Sequence, residues 1–279
     1  MYRIVKKRAL NAFVTLMEVE APYIARKARA GQFIILRVNE EGERIPLTIA
    51  DHDENKGTVT IMFQKVGKTT LLLDTLEEGD AILDFVGPLG RATELEGHRR
   101  VAVVGGGVGC AIAYPEAKAF HEAGAQVDMI AGFRNKDIVM LEEEFAAVSD
   151  RLFVMTDDGS NGSKGFVTVK LKELLDAGEA YDLVMAIGPL PMMRAVADVT
   201  KKYGVKTVVS MNPIMIDGTG MCGGCRLTVG GETKFACVDG PEFDAHQIDW
   251  DEAMKRLGQY REREAECRLM FQADQGRTS

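Results

Sequence analysis

The change of rhythm at Arg99 constrains this chain more than any other feature. Before it, "FVTLMEV", "GQFIILRV", "GTVTIMFQKV" and "GDAILDFVG" are short runs rich in β-branched and aromatic residues, divided by glycine and acidic turns. Their even spacing predicts an antiparallel barrel, interrupted by one helix over 69–78, "TTLLLDTLEE". After it, strand-like runs such as "RRVAVVGGGVG", "AQVDMIAGF", "LFVMTDDG", "YDLVMAIGP" and "KTVVSMN" alternate with helix-spaced segments such as "AIAYPEAKAFHEAG" and "KDIVMLEEEFAAVSD". That alternation predicts a parallel sheet with helices on both faces. The expected class is therefore β plus α/β: a barrel over 1–98, an α/β domain over 99–209, and a small module over 210–279. The chain closes on a charged helix, "WDEAMKRLGQYREREAECRLM", with Trp250, Met254, Leu257 and Met270 as its apolar points.

A length of 279 residues suits two domains and a small module. The net charge of −8, with no basic stripe, argues against a nucleic-acid partner. "MYRIVKKRALNAFV" lacks the apolar centre of a signal peptide, and "VAVVGGGVGCAIA" is too short and too glycine-rich to span a membrane. The expected location is the cytoplasm, where clustered cysteines suggest metal binding over disulfides.

The turn after the first parallel strand is "VVGGGVGC". Gly105, Gly106, Gly107, Val108 and Gly109 form a tight loop that lets backbone N–H groups approach a pyrophosphate at a helix N-terminus. The match to G-x-G-x-x-G is partial, because Cys110 takes the third glycine, and Arg134 stands where a ribose-binding acid would be. A tight turn without ligand fits this loop equally well. The other strand ends favour a ligand: "GFRN", "TDDGSNGSKG" and "IGPLP", the last with Gly188 and Pro189, are all glycine-rich or polar. Asp157 and Asp158 would repel a 2′-phosphate, which points to NAD(H) over NADP(H). A solvated acidic turn explains the pair as readily.

In the barrel half, "RIPLTI" carries Pro46, which cannot donate to a ladder and marks an edge or bulge. "VGKTTLLLDTL" sets Gly67, Thr69 and Thr70 at a helix start, where free N–H groups and hydroxyls suit a phosphate or, more simply, an N-cap.

Cys222, Cys225 and Cys237 are one ligand short of the four that zinc or an iron–sulfur cluster takes. Stepping back four intervening residues from Cys222, as plant-type [2Fe–2S] spacing does, reaches Asp217, giving D-x₄-C-x₂-C-x₁₁-C. Gly218, Gly220, Gly223 and Gly224 let the loop wrap a cluster. A structural zinc accepts the same donors, and a redox-active CxxC pair or free thiols remain open. Cys110 reads as a small packing residue and Cys267 as a non-ligand. His52, His98, His121 and His246 show no ligand spacing.

The barrel motif R-x-P-L-T, the G-x-x-T segment, the GGGVG sheet domain and the turn "GPLPMM" together resemble the ferredoxin–NADP reductase superfamily over nearly the whole chain. They are most similar to its electron-transfer subunits, such as that of NAD-dependent dihydroorotate dehydrogenase. The resemblance implies FAD along the barrel rim, with Arg44 near its phosphates and Thr48 near its reactive edge as the candidate catalytic residue. It further implies flavin contacts from Pro46, Leu47, Phe63, Gln64, Gly67, Thr69 and Thr70. Leu47 departs from the flavin-stacking tyrosine that many reductases carry. "SMNPIMIDGTGMCGGC" with "TKFACVDGPEFD" resembles the small subunits of NADH-dependent reduced ferredoxin:NADP oxidoreductases, which are flavin-based electron-bifurcating enzymes. That implies a [2Fe–2S] cluster on Asp217, Cys222, Cys225 and Cys237, with Asp217 separating this chain from four-cysteine relatives. It also implies hydride exchange between NAD(H) and FAD, single electrons between FAD and the cluster, and a larger flavin and iron–sulfur partner that handles NADPH and ferredoxin. The C-terminal helix with Trp250 is expected to dock on that partner. The alternatives are the electron-transfer subunit of dihydroorotate dehydrogenase or another NAD-linked oxidoreductase, and a zinc-stapled nucleotide-binding module.

Overall fold

Alternating apolar residues pair the first half into one antiparallel sheet. In the computed structural model, which describes residues 1–260, 262–267 and 269, its elements are β1 (Tyr2–Ala9), β2 (Val14–Glu20), α1 (Pro22–Ala25), β3 (Phe33–Arg37), β4 (Ile45–Asp53), β5 (Thr58–Gln64), α2 (Lys68–Asp74), β6 (Ala81–Ile82) and β7 (Asp84–Leu89). The strand order is β6-β1-β2-β5-β4-β3-β7. Only Leu83 separates the two edge strands, and its N–H donates to Val38 O at 3.2 Å, so the sheet nearly closes into a barrel. Ile34, Ile61, Phe63, Leu73 and Phe85 fill the interior. The inserted helix is shorter than 69–78, because Thr75 N–H already bonds back to Leu72 O in the last turn.

The second half follows as β8 (Arg100–Gly106), α3 (Gly109–Glu122), β9 (Gln126–Phe133), α4 (Glu142–Ala147), β10 (Arg151–Thr156), α5 (Val167–Asp176), β11 (Leu183–Ile187), α6 (Leu190–Tyr203) and β12 (Thr207–Ser210). These strands are parallel, in the order β10-β9-β8-β11-β12. The chain winds outward from β8 in one direction and then resumes at β11 on its other side. The β8/β11 boundary is therefore the switch point at which such sheets open a crevice. The run expected as one helix over 136–150 is split into a 3₁₀ turn at Lys136–Ile138 and α4. Met140 and Leu141 between them are buried in the core, and Leu141 takes φ +57° to get there.

The last segment gives β13 (Arg226–Val229), β14 (Glu232–Phe235), α7 (Ala236–Asp239), β15 (Glu242–Asp244) and α8 (Trp250–Leu257). β13 and β14 form a hairpin on Gly230–Gly231, both at positive φ as a tight two-residue turn requires. β15 then adds antiparallel to β12, so the parallel sheet gains an edge strand from the cysteine segment. The expected long C-terminal helix ends its first part at Leu257, with Gly258 as C-cap. Trp250 and Met254 pack against the chain's own core, and Trp250 Nε1 donates to Ala245 O at 3.0 Å. These two side chains therefore do not form a free docking face; Met270 lies outside the described residues.

Candidate functional site

The carboxyl edge of the parallel sheet faces the rim of the barrel across one cavity of about 1140 Å³. Pockets for drug-sized ligands run to about 1,000 Å³, so this one has room for two adjoining groups. Pro46, Leu47, Thr48 and Gln64 line it from the barrel. Gly106, Gly107, Val108, Gly109, Arg134, Asp157, Gly188 and Pro189 line it from the sheet. Residues read separately as flavin and nucleotide contacts thus share one space.

The sheet side is built for close backbone approach. Gly109 opens α3 against the end of β11: a Cβ there would run into Ile187 O and lie 2.6 Å from Gly188 Cα. Gly107, at φ +58°, turns the loop and donates its N–H to Gly132 O at 2.8 Å. Gly105 faces inward, where a Cβ would lie 2.9 Å from Cys110 Sγ. Cys110 is buried, and burial pushes its thiol up to about 12, so it is an inert packing residue. Asp157 and Asp158 donate their N–H groups to Phe133 O and Arg134 O, joining the β9 and β10 ends. Hydrogen bonds from Ser160 hold the Asp158 carboxyl below its usual range, so it is anionic at neutral pH.

On the barrel side, Thr48 pairs with Phe33 across β3 and β4. Arg44 Nε donates to Ile216 O at 2.8 Å, tying the "RIPLT" strand to the cysteine loop. Phe63 is 1% exposed within the barrel core, so its side chain is not on the cavity wall; the alternation of β5 sends Gln64 there instead. Gly67 and Thr70 form a closed cap: Thr70 Oγ1 accepts from the N–H groups of Val66 and Gly67, each at 3.1 Å, while Thr69 is buried.

The cysteine loop brings its donors together in two pairs. Asp217 Oδ1 is 3.3 Å from Cys222 Sγ, and Cys225 Sγ is 3.2 Å from Cys237 Sγ. Asp217 also accepts from the N–H groups of Met221 and Cys222 at 3.0 and 3.1 Å, and from Thr219 Oγ1 at 3.1 Å. Burial opposes its charge, but these bonds from Cys222 and Thr219 outweigh it and hold the carboxyl at about 2. Burial and the neighbouring Cys225 thiol push Cys237 up to about 12, a penalty that a bound cation removes by deprotonating the thiol. Gly218, Gly220 and Gly223 all take positive φ, and Gly218 leans so closely on the barrel that a Cβ would lie 2.7 Å from Leu89 Cδ1. α8 buttresses the loop through Arg256, which donates to Gly224 O at 3.2 Å. Among the described residues, no three His, Cys, Asp or Glu side chains close on a single metal point. Tetrahedral bonds of about 2.3 Å put two thiolates on one metal about 3.8 Å apart. Each pair is thus close to the spacing for one metal, and two pairs suit a two-iron cluster better than a lone ion.

Comparison with known proteins agrees with this reading. Residues 212–249 match the iron–sulfur cluster binding domain of dihydroorotate dehydrogenase B, and residues 103–198 match the oxidoreductase NAD-binding domain. The chain is 49% identical, over 94% of its length and 92% of the relative's, to a Thermotoga maritima homologue of the dihydroorotate dehydrogenase B (NAD⁺) electron transfer subunit. The chain belongs to the dihydroorotate dehydrogenase B electron-transfer subunit family. The Fusobacterium nucleatum member is 31% identical over 84% of the chain and 92% of its own length. A solved structure of an NADH-dependent reduced ferredoxin–NADP oxidoreductase, studied for flavin-based electron bifurcation, is 44% identical. It covers 97% of this chain and 98% of its own, with a TM-score of 0.90.

As a member of this family, the chain is an oxidoreductase electron-transfer subunit of a larger complex, and its cofactors are FAD, a [2Fe–2S] cluster and NAD(H). Several cavity residues escaped the sequence reading. Ser210 ends β12, Met211, Asn212 and Met215 follow it, and all four line the cavity, as a further strand end at the carboxyl edge should. Asn11 and Phe13 reach it from the β1–β2 hairpin, where Asn11 Nδ2 donates to Ile138 O at 3.0 Å. Nothing local in "LNAFV" signals that role.

Proposed function

We propose that this chain is the NAD(H)-facing small subunit of a flavin-based electron-bifurcating complex of the reduced ferredoxin:NADP oxidoreductase kind. The observation that carries the proposal is the single cavity that joins the "PLT" rim of the barrel to the glycine loop of the sheet. FAD held there would supply the exchange between hydride transfer from NADH and single-electron transfer to the [2Fe–2S] cluster.

The chain's own residues supply position and charge. The Gly105–Gly109 turn opens the start of α3, where the N–H groups of Val108 and Gly109 hold the NAD pyrophosphate, while Gly188 and Pro189 border the nicotinamide end. Arg134, Asp157 and Asp158 border the adenosine ribose, where the two carboxylates disfavour a 2′-phosphate. Pro46, Leu47, Thr48 and Gln64 hold the flavin ring, with the Thr48 hydroxyl beside its reactive edge. Arg44 and the backbone at the start of α2 serve the flavin phosphates, with the Gly67–Thr70 cap and buried Thr69 shaping that turn, and Phe63 acts through the packing that orients Gln64. Asp217, Cys222, Cys225 and Cys237 would hold the cluster. The working units are a flavin domain over 1–98, an NAD domain over 99–209 and a cluster module over 210–279. The partner is a larger flavin and iron–sulfur subunit that handles NADPH and ferredoxin. Exposed Ile216 and Met221 flank the Asp217–Cys222 pair on the face it would cover. The complex works in the cytoplasm, off the membrane.

The match of 212–249 to the dihydroorotate dehydrogenase B domain supports a second reading, in which the partner is a dihydroorotate-oxidising subunit. Anaerobic purification of the native chain with its associated subunit distinguishes the two. The expected result is flavin absorption, bleachable iron–sulfur absorption, and reduction by NADH faster than by NADPH. Colourless protein with stoichiometric zinc would overturn the redox assignment, and a preference for NADPH would overturn the nucleotide assignment.

A further inference from the structure

Thr93, in the segment between β7 and β8, lies between two carboxyl groups. Its Oγ1 is 2.6 Å from Glu116 Oε2 on α3 and 2.7 Å from Glu242 Oε1 on β15. A hydroxyl has one proton to donate, and an ionised carboxylate only accepts. Both short contacts can be hydrogen bonds together only if one carboxyl carries a proton and donates it to the hydroxyl oxygen. The geometry therefore calls for one proton across the two glutamates.

The surroundings hold that proton in place. Glu116 is 1% exposed. The barrel closes the site from the third side: Gly31 N–H donates to Glu116, and Thr93 N–H donates to Ala30 O at 3.0 Å. A Cβ on Gly31, at φ +83°, would run into Thr93 Oγ1 and lie 2.9 Å from Glu242 Oε1. Glu94, beside Thr93, adds a further negative charge toward Glu242. On α3, Lys118 is engaged by Asp51 of β4 at 2.9 Å. After β7, Arg91 bonds Val238 O at 3.2 Å and faces Asp239 at 3.8 Å, both ahead of β15. Lys118 and Arg91 are thus committed elsewhere. Burial, with the neighbouring Glu242, holds Glu116 well above the carboxylate range, and burial pushes Glu242 up to about 7.

We propose that Glu116, Thr93 and Glu242 form a one-proton latch that fastens the cysteine-bearing segment to the nucleotide helix and the barrel, closed while either carboxyl is protonated and open when both are ionised. Glu242 pairs with Ser210, and Pro241 O accepts from Met211 N at 2.9 Å. Ser210, Met211 and Pro241 all line the cavity, so opening the latch loosens that wall and the path to Cys237 together. The sign follows from linkage. The folded protein keeps a proton that the unfolded chain loses near the ordinary glutamate value, so the latch's stability is full below that value and is lost as pH rises past the ionisation of Glu242, at about 7, and through that of Glu116, which burial and Glu242 raise further.

The test is a pH titration of the native holoprotein. An infrared band of a protonated carboxyl is expected at pH ~6 and should weaken as Glu242 ionises and vanish as Glu116 follows at higher pH, while Tm falls by about 5 °C or more. In Glu116→Gln and Glu242→Gln the amide donates to Thr93 at every pH, so the band and most of the fall in Tm should disappear. NADH-driven bleaching of the cluster should slow over the same interval in the wild type and stay flat in the variants. No acid band at pH ~6, or equal Tm slopes in all three proteins, would overturn the latch. If the variants do not fold, the wild-type infrared titration decides alone. The infrared and thermal readouts are independent of the proposed function; only the bleaching rate rests on it.

Discussion

Replacing Gly109 with alanine tests the argument that the glycine loop works through backbone proximity. The added Cβ would be driven into Ile187 O and would lie 2.6 Å from Gly188 Cα. Both obstacles are backbone at the end of a strand whose residues are all buried, so neither can turn aside. Ordinary contact would return only if the start of α3 retreated by about 1 Å from a core packed at crystal-like density. Overpacking of this kind costs about 1–3 kcal/mol. At about 3 °C per kcal/mol for a chain of this size, Tm should fall by about 3–9 °C. The same retreat withdraws the loop N–H groups from the cavity, so NAD⁺ affinity should fall about tenfold or more, equivalent to ~1.4 kcal/mol. Gly107→Ala is the internal control. Nothing lies within 4 Å of its Cβ, so it bears only the left-handed backbone strain at φ +58°, about 1 kcal/mol. Thermal melts and calorimetric titration of the oxidised protein with NAD⁺ measure both effects. A Gly109→Ala protein that melts and binds like the wild type, or a Gly107→Ala protein that is the worse of the two, would refute the packing argument.

Asp217→Cys should still assemble a cluster, with a lower midpoint potential, because a thiolate donates more electron density to iron than a carboxylate; an unchanged or raised potential in a redox titration refutes that role for the acid. Asp157→Ser with Asp158→Ser should shift the NADPH-to-NADH ratio of flavin reduction rates toward NADPH by about tenfold. An unmoved ratio in stopped-flow assays removes the electrostatic reason for NAD(H). Asp128→Asn should destabilise by about 3 kcal/mol, because the carboxylate is buried, meets Arg151 Nη2 at 2.5 Å and accepts from Tyr181 at 2.6 Å. Burial opposes the Asp128 charge, but Arg151 and Tyr181 lower its pKa overall. That contribution is present above the ordinary aspartate value and lost as pH falls below it, so wild-type and mutant Tm should converge in acid.

What the sequence made legible was local. The GGGVG turn, the strand–helix alternation and the D-x₄-C-x₂-C-x₁₁-C spacing each depend on residues close in the chain, and each lies where the pattern put it. The misses depend on contacts made across the fold. Strand β15 is too short to show a period of its own and exists because β12 offers it an edge. The run over 136–150 has helical spacing, yet burial of Met140 and Leu141 breaks it in two. Trp250 is half-buried against a core built partly by distant strands, which spacing along the helix does not reveal. Thr93, Glu116 and Glu242 come from three distant segments, and no spacing rule joins them.

The segment after β12 explains how one chain can serve both a two-electron and a one-electron centre. Met215 lines the cavity, and Asp217 begins the donor loop, with one residue between them. Two residues of fully extended chain span at most about 7 Å, so the wall of the cavity and the cluster loop are neighbours by covalent necessity. The same stretch is pinned from three directions: Arg44 holds Ile216 O from the barrel, Gly218 packs on Leu89 and Ile35, and Pro241 O holds Met211. A flexible connection would let the separation wander and with it the rate of single-electron exchange. The glycines at positive φ supply the tight turns, while the barrel, β12 and β15 remove the freedom that those glycines would otherwise give the loop. The motif residues provide the donors, and the long-range contacts give them a fixed distance from the cavity.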